Sequence, residues 1–205
     1  SNPAVIPSGD TLWEGFEVLR ETGFPRLPVV DSAGIYLGML SPMGVLDRLL
    51  GLGDSAENQH LASREVFASV NLMARALDAT PVPATIQKFI VYVAAMRVDS
   101  FDAHLPWEEK GALAVIVGDR PDIQEHVISR GVRLLIVTGG HPVESRLVEL
   151  AVQKGVTILE SPGDSAQVIR RLAFSMPVEM AGLRGQAFVL SPDDRLRDVS
   201  HKISN

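Results

Sequence analysis

Ala114-Val115-Ile116-Val117, Leu134-Leu135-Ile136-Val137 and Val156-Thr157-Ile158-Leu159 are three short apolar runs, each leading through a turn into a helical pattern. The first runs on into Gly118-Asp119-Arg120-Pro121, the second into Thr138-Gly139-Gly140 and the third into Glu160-Ser161-Pro162-Gly163-Asp164. Strands of Val, Ile and Leu without polar alternation are buried on both faces, as a parallel sheet covered by helices requires. Pro121 and Pro142 suit first-turn helix positions, and Gly131 and Gly155 suit the left-handed position that closes a helix. Three consecutive βα units, and hence a small α/β domain, follow.

Composition bounds what surrounds this domain. The chain has 205 residues, 46% of them hydrophobic, enough for one or two domains with real cores. Its longest apolar run, Phe89 to Met96, is far short of the ~18 residues of a membrane helix. A net charge of −6 without a dense Lys/Arg cluster argues against nucleic-acid binding. No cysteine is present, which excludes disulfides and thiolate chemistry and fits a cytoplasmic protein. The five histidines stand at 60, 104, 126, 141 and 201 without paired ligand spacing, so each reads as a surface or capping residue, and neither a metal site nor a catalytic site is expected.

Val5 to Gly51 reads β, α, β, β, α. Asp10, or alternatively Thr11, caps the first helix, and Leu12, Phe16 and Leu19 give its apolar face before Gly23. Arg26 to Asp31 is a strand, Ser32-Ala33-Gly34 a turn, Ile35 to Leu40 a strand, and Pro42 opens a helix through Leu50. Gly51 to His60 is a linker. Ser69 caps a helix through Asp78, Lys88 to Ala94 is a strand, and Phe101 to Lys110, with Pro106 and three acidic residues, reads as a surface loop.

Thr11-Leu12-Trp13-Glu14, Leu27-Pro28-Val29-Val30-Asp31, Gly34 and Leu37-Gly38-Met39-Leu40-Ser41 together resemble a CBS motif. Such a motif is too small to bury a core alone, so a partner is expected. Val189 to Asp198 parallels Val5 to Glu14 at a constant offset. This second copy stops at Asn205 and reads as truncated. Gly118-Asp119-Arg120, Thr138-Gly139-Gly140 and Ser161-Pro162-Gly163-Asp164 resemble a DRTGG domain. The expected fold is a small parallel-sheet α/β domain flanked by CBS motifs: residues 1–60 the first motif and linker, 61–183 the DRTGG domain, 184–205 the incomplete second motif.

This order is similar to the regulatory region of CBS-containing family II inorganic pyrophosphatases. The resemblance implies a cytoplasmic, homodimeric, non-catalytic module that binds AMP, ADP, ATP or diadenosine tetraphosphate. It would control a manganese-dependent catalytic part marked by Asp-His-His, a motif this sequence does not contain. CBS nucleotide sites carry a G-x-x-[S/T]-x-x-D pattern, with a phosphate at the Ser or Thr and the ribose at the Asp. Gly38, Ser41 and Gly44 occupy those positions, so the ribose carboxylate is missing. Arg26, just before Leu27, with Pro28 and Val29 of the same strand, completes the candidate nucleotide site. The bland alternative makes Ser41 an N-cap and Arg26 a solvated charge.

A second candidate site lies at the carboxyl ends of the three strands, where ligands of parallel sheets bind. It comprises Asp119, Arg120, Thr138, Gly139, Gly140, Ser161 and Asp164. Alternatively Asp119 and Asp164 cap helices, the glycines make a turn and Arg120 ties the loops. Other readings of the whole chain are an interaction or dimerisation scaffold with a decayed nucleotide site, the regulatory module of a phosphotransacetylase-like protein, and an independent small-molecule enzyme built on the three strand ends with Asp119, Arg120 and Asp164.

Overall fold

The computed structural model describes residues 4–50, 65–79, 87–181 and 183. The expected second CBS copy at 184–205 and the whole of the linker at 51–60 lie outside them. The elements form two sheets. In the first, β1 (Ile6–Pro7) pairs in parallel with β2 (Leu27–Val30), which pairs antiparallel with β3 (Tyr36–Leu40). Helices α1 (Leu12–Thr22) and α2 (Pro42–Leu50) complete the βαββα order. The second sheet has the order β4 (Glu65–Ala68), β5 (Gln87–Val93), β6 (Leu113–Val117), β7 (Leu134–Val137), β8 (Thr157–Glu160). All its pairings are parallel except β4 with β5.

Every residue of β6 and β7 is buried, as their unbroken apolar character requires. Helices α5 (Pro121–Arg130) and α6 (Ser145–Lys154) cover one face of the sheet. Helices α3 (Val70–Ala76) and α7 (Ser165–Ala173) cover the other. Gly131 and Gly155 end α5 and α6 with φ of +75° and +69°, a conformation costly for any residue with a Cβ. Pro121 opens α5 as expected, whereas Pro142 lies before α6, whose N-cap is Glu144.

Two expectations change. Thr11, not Asp10, caps α1, in a reciprocal capping box with Glu14. The expected surface loop at 101–110 holds the end of α4 (Val98–Asp102) and most of a 3₁₀ turn, Trp107–Ala112. There Phe101 and Leu105 are only 2% and 6% exposed, and they enter the core under α5. Of the acidic residues around them, Glu109 is exposed, whereas Asp102 is half-buried. Strand β4, on a stretch the sequence reading leaves unassigned, is an antiparallel edge strand of four residues.

The first sheet's core contains Leu12, Leu19, Leu27, Val29, Leu40 and Val45, and also Met176, Val178 and Ala181 from beyond α7. The chain returns after α7 and runs along the loop before α1. Leu12 and Trp13 N–H donate to the carbonyls of Met176 and Phe174, while Val178 and Glu179 N–H donate to those of Asp10 and Ser8. This strand-like seam closes the small sheet, which three short strands could not do alone. Among the described residues, no helix is long and apolar enough to cross a membrane.

Candidate functional site

The candidate nucleotide residues gather at one end of the first sheet. Leu27 pairs with Leu40, so continuing that register sets Arg26 opposite Ser41 at the start of α2. Ser41 Oγ accepts the Gly44 N–H at 3.0 Å, and the Ser41 carbonyl accepts from Val45. The hydroxyl thus satisfies one of the free N–H groups of the helix start. Arg26 is exposed and has no ion pair among the described residues. A guanidinium, a hydroxyl and a helix N-terminus at one edge suit an anion. Pro28 is half-buried on the outer face of β2, whereas Val29 is fully buried in the core. Gly38, opposite Val29, is covered by Leu183: a Cβ there would lie 2.7 Å from Leu183 Cβ.

The residues at the strand ends of the second sheet bind mainly one another. Gly139 and Gly140, with φ of +91° and +70°, donate their N–H groups to the carbonyls of Gly163 and Ser161 at 2.9 and 3.0 Å. Thr138 Oγ1 shares a 3.0 Å hydrogen bond with Ser165 Oγ. Ser161 Oγ is buried; it donates to the Leu77 carbonyl and accepts from Gly163 N–H. Asp164 caps α7 in a second capping box, with Gln167. Arg120 donates to the Met96 carbonyl at 2.7 Å and pairs with Asp122 at 3.0 Å. Burial alone would raise the Asp122 carboxyl, but the Arg120 guanidinium and the Ile123 N–H outweigh it and hold Asp122 below its ordinary value. Asp119 is exposed and is not the cap of α5; that position belongs to Arg120, which makes no side-chain cap bond.

The candidate loops therefore sew β7 to β8 and β8 to the end of α3. Beside them lies an open cleft of about 180 Å³, lined by Asp78, Ser161, Gly163, Gln167 and Arg171 among others. An Arg171–Asp78 ion pair spans it.

Sequence reasoning missed the contacts between the two sheets' units. Arg75 of α3 binds Asp10 Oδ1 at 2.9 Å and Glu14 Oε1 at 2.6 Å. Arg171 of α7 lies over the Trp13 ring at 5.1 Å, and Trp13 packs edge-on against Phe174. Also missed was the pairing of His126 Nε2 with Asp102 Oδ1 at 2.5 Å, flanked by Arg130 and Trp107. His126 is thus a half-buried partner of Asp102 rather than a lone surface residue. No spacing rule foretells such pairs, whose members stand far apart in the chain. Among the described residues, no group of three or more His, Asp or Glu side chains is arranged to hold a metal ion.

Residues 1–51 match the CBS domain family and residues 73–174 the DRTGG domain family. A curated relative, the cobalt-dependent inorganic pyrophosphatase of Clostridium perfringens, is 29% identical over 192 residues, 92% of this chain but 34% of that protein. The chain thus spans about a third of the length of that relative. A probable manganese-dependent inorganic pyrophosphatase of Thermotoga maritima is 32% identical over 66 residues, 32% of this chain and 12% of that protein. Among solved structures, the CBS and DRTGG domains of the regulatory region of the C. perfringens pyrophosphatase, complexed with the activator diadenosine tetraphosphate, superpose with a TM-score of 0.76. Sequence identity there is 27%, covering 98% of this chain and 86% of that one. With its two sheets accounted for by these two families, the chain is a CBS- and DRTGG-domain protein that closely matches the regulatory region of a clostridial inorganic pyrophosphatase.

Proposed function

We propose that the chain is a non-catalytic regulatory module that senses adenine nucleotides through its CBS unit and controls an attached inorganic pyrophosphatase. The observation that carries this reading is the meeting of Arg26, Ser41 and the start of α2 at one edge of the first sheet. The similarity to a regulatory region solved with diadenosine tetraphosphate supports the same ligand class. Pro28, on the outer face of β2, lies where an adenine ring packs, while Val29 and Gly38 shape the sheet beneath. Residues 4–50 with 174–183 form the working CBS unit, and the sheet of β4 to β8 the DRTGG unit, which transmits or spaces. A homodimer supplies the further contacts. The two relatives' names differ in metal, cobalt and manganese, and either ion would belong to the catalytic part rather than to these residues.

Micromolar affinity needs about 8 kcal/mol, and one exposed helix N-terminus supplies roughly 0.3 to 1 kcal/mol. Phosphate charge at Arg26 and base packing must supply the rest, and a diadenosine ligand offers more of both than AMP. Calorimetric titration with AMP and with diadenosine tetraphosphate, at known oligomeric state, tests this. Saturable heat that Arg26→Ala removes supports the site. No heat at millimolar ligand refutes it and favours a scaffold with a decayed site, a reading to which Gly44 in place of a carboxylate already lends weight.

A further inference from the structure

After α7 the chain returns from the second sheet to the first, and contacts of this returning segment reach the loop that starts α1. Residues 8–13 pair along 174–179, and Thr11 bridges Pro177. Glu14 faces both ways. Its Oε2 accepts the Thr11 N–H at 2.8 Å and the Thr11 hydroxyl at 2.9 Å, completing the cap of α1. Its Oε1 accepts Arg75 Nε at 3.0 Å and Nη2 at 2.6 Å. The same Nη2 reaches Asp10 Oδ1. Thr11 is fully buried, and Arg75, Asp10 and Glu14 are each about a third exposed, so this is a partly desolvated cluster rather than a surface pair. Burial alone would lower the guanidinium's affinity for its proton, but the bonds to Asp10 and Glu14 outweigh it and raise it.

The loop held in this way continues directly from β1, and β1 is paired to β2, the strand of Arg26, Pro28 and Val29. Ser8 N–H also donates to the Val30 carbonyl. One continuous path of contacts thus runs from the candidate nucleotide edge through β2 and β1 to the cap of α1, and across Arg75 into α3.

We infer that Arg75 is the coupling residue between the two units, fastening the α1 cap to α3 so that the CBS motif and the DRTGG domain open and shift as one body. This rests on the nucleotide-sensing reading for its use, but the coupling itself is independent of any ligand. Three charge-assisted bonds to two carboxylates are shared by one guanidinium, and the Glu14 carboxylate serves as cap and clasp together, so cutting the clasp loosens the hold of the smaller unit on the larger.

Native-state hydrogen exchange on the full chain tests it. In the unaltered protein, amides of α1, β2 and β3 are expected to open together with those of β6 and β7 as urea is raised. In Arg75→Met, the α1, β2 and β3 amides should exchange at least about tenfold faster while β6 and β7 keep their protection. Asp10→Asn with Glu14→Gln keeps an acceptor for the Thr11 cap and removes both carboxylates from Arg75, so the double variant should give the same split and stands in should Arg75→Met not fold. Exchange of α1 within twofold of the parent in the variant, or independent opening of α1 in the parent, overturns the coupling. Adding AMP or diadenosine tetraphosphate to the same experiment separates the two ideas. A ligand that protects α1 and also α3 in the parent, but only α1 in Arg75→Met, supports both, whereas a ligand that protects nothing defeats the sensing reading and leaves the urea result to decide the coupling.

Discussion

Gly44→Asp puts a carboxylate where the CBS pattern expects a ribose partner, and its consequences can be worked from the geometry of α2. Gly44 is the third residue of the helix, and its N–H is already held by Ser41 Oγ at 3.0 Å. A Cβ there would lie 3.3 Å from that hydroxyl, close enough to require a shift of a few tenths of an ångström but free of backbone contact. Replacing glycine inside a helix gains a few tenths of a kcal/mol, about 0.3. A carboxylate in the first turn gains roughly 0.3 to 1 kcal/mol from the helix dipole. The Ser41 contact returns part of this, leaving a net gain of about 0.5 kcal/mol and a rise in Tm of roughly 1 to 2 °C. A charge-assisted hydrogen bond to a ribose hydroxyl is worth about 1.5 to 3 kcal/mol, which corresponds to AMP binding roughly 10- to 100-fold tighter. Calorimetry and a thermal melt on the same protein read both numbers. If Tm rises and AMP affinity stays the same, the ribose does not sit at the start of α2 and the proposed site is wrong. A fall in Tm would mean that the Ser41 cap was displaced, which would refute the packing argument instead.

Gly38→Ala should cost about 1 to 3 kcal/mol in urea unfolding, because the new methyl would meet Leu183 at 2.7 Å and push the returning segment off the small sheet. Unchanged stability would show that Leu183 does not cover β3. Ser161→Ala removes the donor to the Leu77 carbonyl and the acceptor for Gly163, and a buried group left unpaired costs about 1 to 3 kcal/mol. A loss below a few tenths would mean that the loop does not join β8 to α3. Because Asp122 is held below its ordinary value in the folded chain, its contribution is full above the unfolded carboxylate pKa of about 3.9 and disappears as pH falls through the lower folded value. Arg120→Met should therefore narrow its stability difference from the parent as pH falls below about 4. High salt should shrink the difference at neutral pH, since both groups are solvated. A difference that grows on acidification would contradict the assignment.

The parts of the fold that the sequence displays are those set by local rules. Strands buried on both faces need no alternation, so β6 and β7 declare themselves, and the left-handed glycines after α5 and α6 mark where each helix stops. The CBS motif was similarly plain from Leu27 to Ser41, where strand, turn and helix start follow in one short stretch. What was hidden depended on distant partners. Phe101 and Leu105 look like loop residues until α5 is placed over them. Arg75 looks like an ordinary helix cation, since nothing nearby in the chain announces Asp10 or Glu14. Asp164 is legible as a cap from its spacing to Gln167, whereas Asp119, an equally good cap by composition, loses that place to Arg120 because Pro121 starts the helix one residue later. The candidate site was legible in the same measure. Arg26 and Ser41 are brought to one edge by strand register, but Val29 faces the core and Gly38 is covered, because burial is a property of the closed sheet and not of the motif.

That the small sheet is closed by Met176, Val178 and Ala181 has a consequence for biosynthesis. The CBS motif leaves the ribosome first, yet its last core residues follow the whole of the DRTGG domain. At about 5 to 20 residues per second, the nascent motif waits on the order of ten seconds with Leu12, Leu27 and Leu40 uncovered. The DRTGG domain, with sequential strands and near-neighbour crossovers, can finish folding in that interval and present the returning strand already positioned. The motif that precedes the DRTGG domain in the sequence therefore becomes a folded object after it, and the domain made later serves as its template.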